Sequence, residues 1–357
     1  MGMSAAFSGP SAQLGVQLEQ GARVFFDEVN TSGGVNGRLI ELLSRDDQYE
    51  PHLTVINTRY FINTAKVDAL FSYVGTPTSN AIQPIIDTHN IPYLTPFTGA
   101  DLLRHKAHIF NLRASYNDEA KVQIDYLVKQ MGFKKIAFLI QADEFGLSVQ
   151  NGLEKAMQPY ALKPVEIARF KRNTQDIEEA LKRLKGSGAE AICLVGTYKP
   201  LAHFINLAAR QNYNPQFTSV SFVSSEELFS RIKQPSRILV TEVMPTANGC
   251  SEEWCKRFLS LMEKAGVKNP SRVHLEGYAN AYLFYNAAKG CNKLTNDCLL
   301  LELKKAKEKL DKAKRNYVEL SEKVKGNTVF KAKRNYVELS EKVKGNTVFL
   351  NHFTYSK

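Results

Sequence analysis

Two stretches of this sequence decide the fold that it predicts: residues 73–79, YVGTPTS, and residues 91–99, IPYLTPFTG. Each is a short apolar run that ends abruptly in small, hydroxyl-bearing residues. This pattern is typical of a buried parallel strand that ends at the carboxyl edge of its sheet and turns into a helix. In open α/β sheets, ligands bind in the crevice outside those edges. The two stretches therefore predict an α/β sheet with a polar edge.

Thr78 and Ser79 follow the first of these runs. We expect them at or near a helix start, where free backbone N–H groups and the helix dipole favour an anion such as a carboxylate. The ordinary alternative is that both hydroxyls only cap the following helix. This segment by itself does not distinguish the two.

Strand-like and helix-like segments alternate on both sides of these stretches, which predicts right-handed crossovers and mostly parallel sheets. The alternation runs twice, so we expect two similar lobes, for which 357 residues are ample. Predicted strands include 3–8, 39–43, 67–74, 135–140, 165–170, 189–195, 218–223 and 238–243. Predicted helices include 13–30, 52–64, 119–131, 145–158, 175–186, 200–211, 252–266 and 273–289.

The net charge of +11 invites a nucleic-acid role, but its location argues against one. Residues 301–357 hold 15 lysines and arginines against 7 acidic residues, whereas the first 300 residues hold 32 against 29. The basic character therefore belongs to the tail, and we expect no nucleic-acid partner.

The tail contains a perfect tandem repeat, because residues 312–330 are identical to residues 331–349. Apolar residues at spacings of three and four suggest a short helical seam: Leu303, Ala306, Leu310, Ala313, Tyr317, Leu320 and Val324. Glycine interrupts that seam at Gly326 and Gly345. We interpret the repeat as a duplicated helical segment at the surface. The alternative is a partner-binding helix.

The spacing of the cysteines indicates whether the protein occupies an oxidising or a reducing compartment. Cys193 lies in a strand-like run and is predicted to be a buried free thiol. Cys250 with Cys255, and Cys291 with Cys298, are predicted to close two local disulfide loops, which would imply an oxidising compartment. The alternative is four unpaired surface thiols in a cytosolic protein. Zinc is disfavoured because no CxxC or histidine-rich set accompanies these residues.

Catalytic and cofactor signatures are missing from the sequence. It contains no GxSxG, P-loop or GxGxxG motif, and no nucleophile–base pair that spacing would support. We therefore assign no catalytic residue, metal or cofactor, and predict a protein that is not an enzyme. It also has no run of about 18 apolar residues to span a membrane. Its start lacks a secretion leader, so if the protein is exported we expect that the signal was removed or never belonged to this chain.

Several predicted strand ends carry groups suited to a zwitterion. Phe145, residues 196–200 (GTYKP) and residues 225–226 (SE) each follow a predicted strand. A carboxylate such as Glu226 can hold an ammonium group, and aromatic rings can cover an apolar side chain. Singly, each has an ordinary structural explanation. Together, at successive strand ends, they favour a binding site.

At this point the chain resembles the type I periplasmic solute-binding proteins of ABC transporters, in the leucine/isoleucine/valine-binding branch. The resemblance covers roughly residues 1–300, and its motifs occur in family order. The matching stretches are residues 2–10, 29–38, 46–47, 75–79, 96–100, 113–116, 143–146, 196–200, 225–226 and 275–278.

The resemblance implies two Rossmann-like lobes joined by a three-strand hinge, with crossovers near 116–119, 243–247 and in the tail. Lobe 1 would comprise residues 1–116 and 246–325, and lobe 2 residues 117–245 and 345–357. The repeat at 312–349 would be a surface helical insertion without a family counterpart. The lobes are expected to close on a ligand.

The resemblance also implies roles for individual residues. Ser79 and Thr98 resemble the groups that hold an amino acid's α-carboxylate, with Thr78 able to exchange roles with Ser79. Glu226 resembles the acid that takes the α-ammonium group, and Phe145 and Tyr198 stand where family aromatics cover the ligand. The remaining expected ligand-binding positions are Ser8, Phe97, Gly99 and Tyr116.

The function implied is an extracytoplasmic protein, expected in the periplasm, that captures a small polar solute. The expected ligand is an amino acid of branched-chain type or a related carboxylate, and the expected partner is an ABC permease. The alternative is the ligand-sensing domain of a membrane receptor or signalling protein.

Overall fold

The computed structural model describes residues 1–247, 253–312, 320–324 and 349–355, and the side chains of 1–247 and 253–305. Its strands are β1 Gly2–Ala5, β2 Leu43–Asp46, β3 Leu70–Phe71, β4 Tyr93–Leu94, β5 Ile109–Phe110, β6 Ile136–Gln141, β7 Ile167–Phe170, β8 Ala191–Val195, β9 Gln216–Ser219, β10 Ser236–Glu242, β11 Leu320–Val324 and β12 Phe349–Tyr355. The alternation with helices that the sequence predicts is confirmed.

The helices are α1 Ala12–Thr31, α2 Pro51–Asn63, α3 Thr76–Ala81, α4 Gln83–His89, α5 Tyr116–Asp125, α6 Glu144–Met157, α7 Glu178–Gly186, α8 Tyr198–Arg210, α9 Ser225–Phe229, α10 Glu253–Lys264, α11 Arg272–Lys289 and α12 Asn296–Lys312. A π-helical turn, Tyr126–Gln130, extends α5. Within the described part of the chain, no helix is long and apolar enough to cross a membrane.

The chain divides into two compact units. Unit 1 consists of Met1–Thr98, Leu102–Arg113 and Met244–Lys314. Unit 2 consists of Gly99–Asp101, Ala114–Val243 and Arg315–Lys357. The lobe ranges given above stay predictions.

Unit 1 is built on a parallel sheet with the strand order β2-β1-β3-β4-β5. Strand β1 is buried along its whole length, as expected for a central strand of a doubly covered sheet. Apolar side chains from β3, β4 and the helices that follow them form a packed core cluster. Parallel pairing of β1 with β3 and of β3 with β4 places the carboxyl ends of these strands side by side.

Strands β3 and β4 are shorter than the sequence predicts because both backbones kink at equivalent positions. Ser72 and Thr95 have φ angles of 49° and 47°, which end the regular ladder. Their hydroxyls lie 3.0 Å apart, and parallel pairing resumes beyond the kink between Val74 and Phe97. The kinks lie directly before the two loops that carry the hydroxyl-rich stretches.

Unit 2 is built on a sheet with the strand order β11-β12-β10-β9-β8-β6-β7. Strands β10, β9, β8, β6 and β7 are parallel, and β12 pairs antiparallel with β10. Strands β6 and β8 are buried at every residue. The two-unit α/β architecture is therefore the predicted one.

Two predicted elements are wrong. The strand at 39–43 is displaced to Leu43–Asp46, because the Asn30 side chain bonds both the amide and the carbonyl of Ile40 and ties that segment to α1. Leu320 and Val324 are not in a helical seam but in β11, which pairs with β12. Gly326 lowers the helix propensity directly after this segment, and the edge of β12 offers main-chain hydrogen-bond partners to a strand. The rest of the repeat, residues 313–319 and 325–348, lies outside the described residues.

The disulfide between Cys291 and Cys298 is confirmed. Cys255 is also disulfide-bonded, but Cys250, its predicted partner, lies outside the described residues. Cys193 is a buried free thiol, as predicted. Burial raises the pKa of that thiol to about 12, so it stays protonated and unreactive at neutral pH.

Candidate functional site

The carboxyl edge of the unit 1 sheet brings together the hydroxyl-rich loops. Ser8 follows β1, Ser79 follows β3 and Thr98 follows β4, and these three strands are neighbours in the sheet. Ser79 and Thr98 are fully buried, whereas Ser8 is exposed. The unit therefore groups small hydroxyl side chains at one edge, mostly shielded from water.

Thr78 and Ser79 use their polar groups differently. The Thr78 hydroxyl donates to the carbonyls of Val74 (2.5 Å) and Gly75 (3.0 Å), so it secures the start of α3. The Ser79 amide donates to the Gly75 carbonyl, which leaves only the hydroxyl of Ser79 to contact a ligand. That hydroxyl lies 2.6 Å from the phenol oxygen of the buried Tyr93.

Thr98 and Phe97 are held by residues to which the sequence assigned no binding role. The hydroxyls of Thr98 and Thr76 are 2.7 Å apart. The guanidinium carbon of Arg113 lies 4.1 Å from the centroid of the buried Phe97 ring, a cation–π contact. Arg113 in turn forms a buried ion pair of 2.7 Å with Glu276 of α11. The Phe97 ring is therefore held in place by Arg113, which is itself held by Glu276.

Ser8 is fastened by Asp46. The Asp46 carboxylate accepts hydrogen bonds from the Ser8 hydroxyl (2.5 Å), the Ser8 amide (3.3 Å) and the Phe7 amide (2.8 Å). Burial alone would raise the pKa of Asp46, but these hydrogen bonds and one from the Gln48 amide outweigh it and lower the pKa. Asp46 therefore shapes this loop as an ionised acceptor.

Asp47 is a buried hydrogen-bond acceptor behind the same edge of the sheet. Its buried carboxylate accepts the Ser4 hydroxyl (2.8 Å), the Thr54 hydroxyl (3.1 Å) and the Tyr49 amide (2.9 Å). Burial raises the pKa of Asp47 to about 6 despite these bonds. The Tyr49 ring packs directly on Gly75, so that a Cβ added to Gly75 would lie 2.2 Å from a ring carbon of Tyr49. Gly75 also has a φ of +108°. Asp47 thus holds the loop that precedes α3 through Tyr49.

The carboxyl edge of the unit 2 sheet carries the aromatic and acidic candidates. Phe145 follows β6, Tyr198 follows β8 and Glu226 follows β9, and these strands are neighbours. Asp143 caps α6 by accepting the amides of Phe145 and Gly146 at 3.1 Å each. Burial raises the pKa of Asp143. The cap fixes where Phe145 begins its helix.

Gly99, Tyr116 and Phe145 belong to one packed group. The Tyr116 amide donates to the Gly99 carbonyl at 2.8 Å, and a Cβ on Gly99 would lie 2.8 Å from the Tyr116 ring. The Tyr116 and Phe145 ring centroids are 5.4 Å apart, and the Phe222 ring packs against Phe145 at a tilt, with centroids 4.6 Å apart. Phe222 is an addition that no sequence signal indicated.

Tyr198 and Glu226 have different surroundings. Tyr198 is fully buried, and the Arg231 guanidinium lies 4.7 Å from its ring centroid. Arg231 pairs with Glu227 at 2.6 Å, one turn away on α9. Glu226 is half-buried and accepts a hydrogen bond of 3.4 Å from Ser225. Of the two acids in α9, Glu227 is thus engaged with Arg231.

A buried carboxylate also secures the loop after β9. Glu119, fully buried in α5, accepts the Ser221 amide (2.7 Å), the Ser221 hydroxyl (2.9 Å) and the Thr241 hydroxyl (2.6 Å). These bonds anchor the segment that leads into α9. The pattern of residue spacing gave no hint of this role, since Glu119 reads as an ordinary first-turn helix acid.

Among the described residues, no group of three or more histidine, cysteine or acidic side chains is arranged to hold a metal ion. The predicted ligand-binding residues on the two edges supply neutral hydroxyls, aromatic rings and the half-buried carboxylate of Glu226. Such groups bind and orient a small polar molecule.

Comparison with known proteins gives the family. The family model described as periplasmic binding protein matches residues 1–324. An amino acid binding protein of Pseudomonas aeruginosa is 21% identical over 67% of this chain and 64% of its own length. The chain spans 54% to 64% of the lengths of the curated relatives that it matches.

Solved structures share the fold. A possible leucine/isoleucine/valine-binding protein from Rhodopirellula baltica superposes with a TM-score of 0.80 at 30% identity, over 85% of both chains. A substrate-binding periplasmic protein from Ralstonia solanacearum gives 0.78 at 26% identity, over 85% of this chain and 87% of its own. This chain belongs to the type I periplasmic binding protein family, in its leucine/isoleucine/valine-binding branch.

Proposed function

We propose that this chain captures an amino acid of branched-chain type between two closing lobes and delivers it to an ABC permease. The family match over residues 1–324 is the observation that carries the proposal. The relatives from Pseudomonas aeruginosa and Rhodopirellula baltica, named for amino-acid and leucine/isoleucine/valine binding, support the ligand class.

The carboxylate end of the ligand is assigned to the unit 1 edge. Ser79 and Thr98 offer hydroxyls to it, and their burial excludes water that would compete for the same hydrogen bonds. The Thr78 hydroxyl is already bonded to backbone carbonyls, which favours Ser79 over Thr78 as the donor. Phe97 completes the expected set on this edge, and Gly99, which follows Thr98 in sequence, belongs to unit 2.

The ammonium and side-chain ends are assigned to the unit 2 edge. Glu226 is the proposed ammonium acceptor, because it is a half-buried carboxylate in the helix that follows β9. Phe145, Tyr198 and Tyr116 offer aromatic surface to an apolar ligand side chain. Ser8 is proposed as a more peripheral contact, since its hydroxyl is bonded to Asp46.

The proposed role is non-catalytic and extracytoplasmic. The Cys291–Cys298 disulfide supports an oxidising compartment such as the periplasm. The partners proposed are the small-molecule ligand and the membrane subunits of a permease, without nucleic acid.

Thermal-shift screening of the full chain against the amino acids tests the ligand class. A ligand that binds only the folded state stabilises it by about 2.7 kcal/mol at a concentration of 100 Kd. We expect leucine, isoleucine or valine to raise the melting temperature most. A panel in which no amino acid does so would contradict the proposal.

Glu226→Ala tests the ammonium assignment by isothermal titration. Loss of a charge-assisted hydrogen bond of about 1.5–3 kcal/mol predicts an affinity loss of roughly 10- to 150-fold, with folding intact. Glu144→Ala is the matched control, because Glu144 is an exposed first-turn acid of α6. Equal affinities in the two variants would remove Glu226 from the site.

A further inference from the structure

Two buried tyrosines stand side by side behind the unit 1 edge. Tyr73 and Tyr93 are fully buried, and their rings meet edge to face with centroids 5.3 Å apart. Burial raises the pKa of both phenols above the ordinary value. Each hydroxyl is therefore a permanent O–H donor that needs an acceptor inside the protein.

The hydrogen-bond chain from Tyr73 is complete. Its hydroxyl lies 3.1 Å from the Thr58 hydroxyl, which donates its own proton to the Thr54 carbonyl at 2.8 Å. Thr58 therefore accepts from Tyr73. Both protons in this chain have an acceptor, and the chain ends on the backbone.

The chain from Tyr93 is incomplete. Its hydroxyl lies 2.6 Å from the Ser79 hydroxyl, and among the described residues neither oxygen has a second hydrogen-bond partner. Two O–H protons share one hydrogen bond, so one proton has no acceptor in this part of the protein. A buried donor without an acceptor is costly, which makes this pair one acceptor short.

We infer that Tyr93 donates to Ser79 and thereby directs the Ser79 proton towards an acceptor supplied from outside the chain. A phenol is a stronger donor and a weaker acceptor than an alkyl hydroxyl, which sets this direction. The inference rests on the proposed function, which assigns the ligand's carboxylate to Ser79. A carboxylate oxygen, which only accepts, completes the chain Tyr93 to Ser79 to ligand.

Tyr93 is accordingly a positioning residue that acts through Ser79. It makes the subsite select an acceptor over a donor, because a group that presents N–H towards Ser79 meets another hydrogen. An amino-acid amide carries a carboxamide, which has both an acceptor and donors. Without the Tyr93 hydroxyl to fix the direction of the Ser79 proton, the preference for the amino acid over its amide should be smaller.

Tyr93→Phe and Tyr73→Phe form a matched pair, since each removes one hydroxyl from one of two contacting rings. Isothermal titration with L-leucine and L-leucinamide on the full chain provides the readout. For Tyr93→Phe we expect leucine affinity to fall about fivefold to tenfold and the ratio of leucine to leucinamide affinity to shrink. For Tyr73→Phe we expect both to stay within about twofold of wild type.

Equal leucine affinity and equal selectivity in the two variants would overturn the inference and leave the proposed function standing. Failure of the wild type to bind leucine, isoleucine or valine would overturn both. Ligand-free Tyr93→Phe and Tyr73→Phe should have similar melting temperatures, because each substitution removes one phenol that donates to one neighbouring hydroxyl. A Tyr93→Phe variant that is clearly less stable than Tyr73→Phe, or unfolded, would contradict the inference, because Tyr93 would then serve the fold rather than Ser79.

Discussion

Asp47 gives the chain a pH dependence that one substitution can isolate. Burial raises its pKa to about 6 from the ordinary 3.8. The folded chain thus holds this proton more tightly than the unfolded chain does, so the stabilisation is fully present below the unfolded pKa and is lost as pH rises through the folded pKa. For one such carboxyl, the folded state is about 1.3 kcal/mol more stable at pH 5 than at pH 7.

Asp47→Asn should remove this dependence while keeping the fold. The amide oxygen of asparagine can still accept the Tyr49 amide, and the Ser4 and Thr54 hydroxyls can rotate to accept from the new NH2 group. Urea unfolding of wild type and variant at pH 5, 6 and 7 measures the effect. Between pH 7 and pH 5 the wild type should gain about 1.3 kcal/mol relative to the variant.

Asp46→Asn is the control, because its pKa is lowered and the sign reverses. Asp46 contributes stability above its unfolded pKa and loses it as pH falls through its folded pKa. This control should therefore keep the wild-type slope between pH 7 and pH 5. Identical slopes for wild type and Asp47→Asn over that interval would refute the reasoning.

Three further perturbations follow from the same geometry. Glu119→Ala removes the acceptor of the Ser221 amide and hydroxyl, while the Thr241 hydroxyl keeps the Ser219 carbonyl at 3.3 Å, so urea unfolding should show a loss of roughly 2–6 kcal/mol; a loss under about 1 kcal/mol would contradict this. Gly75→Ala places a Cβ against Tyr49 at a φ of +108°, and we expect a lower melting temperature with weaker ligand binding in titration. Replacing both Cys291 and Cys298 by serine opens a short loop and should cost about 2.5 kcal/mol in the chain-entropy model; unchanged stability in non-reducing buffer would show that the loop is held by other contacts.

Most of the fold was predictable because it follows from local patterns. Apolar runs that end in Gly, Thr and Ser mark buried strands whose carboxyl ends meet at one edge, and the structure places residues 73–79 and 91–99 in that way. The spacing of Cys291 and Cys298 likewise predicted their disulfide. Strand β11 was mistaken for helix, because a strand's partner lies far away in sequence and periodicity reports only nearby residues.

The supporting residues of the site were not predictable from spacing. Arg113 reaches Glu276 across 163 positions of sequence, and Glu119 reaches Ser221 across 102. The sequence around Tyr93 does not distinguish it from Tyr73. In the structure, the Tyr93 hydroxyl contacts Ser79 of the candidate site, whereas the Tyr73 hydroxyl contacts Thr58 in the core. Only the positions of their acceptors separate the two roles.

The sequence by itself determined the order of strands and helices and which loops carry hydroxyl, aromatic and acidic groups, because helix and strand periods and turn residues act over a few neighbours. Tertiary structure alone decided which of those groups already have partners. The Thr78 hydroxyl donates to a backbone carbonyl, and Glu227 forms an ion pair with Arg231. The Ser79 hydroxyl, by contrast, has one hydrogen bond, to the Tyr93 hydroxyl. The physical reason is that a hydrogen bond depends on two atoms coming within about 3 Å, and only the folded chain brings distant residues that close.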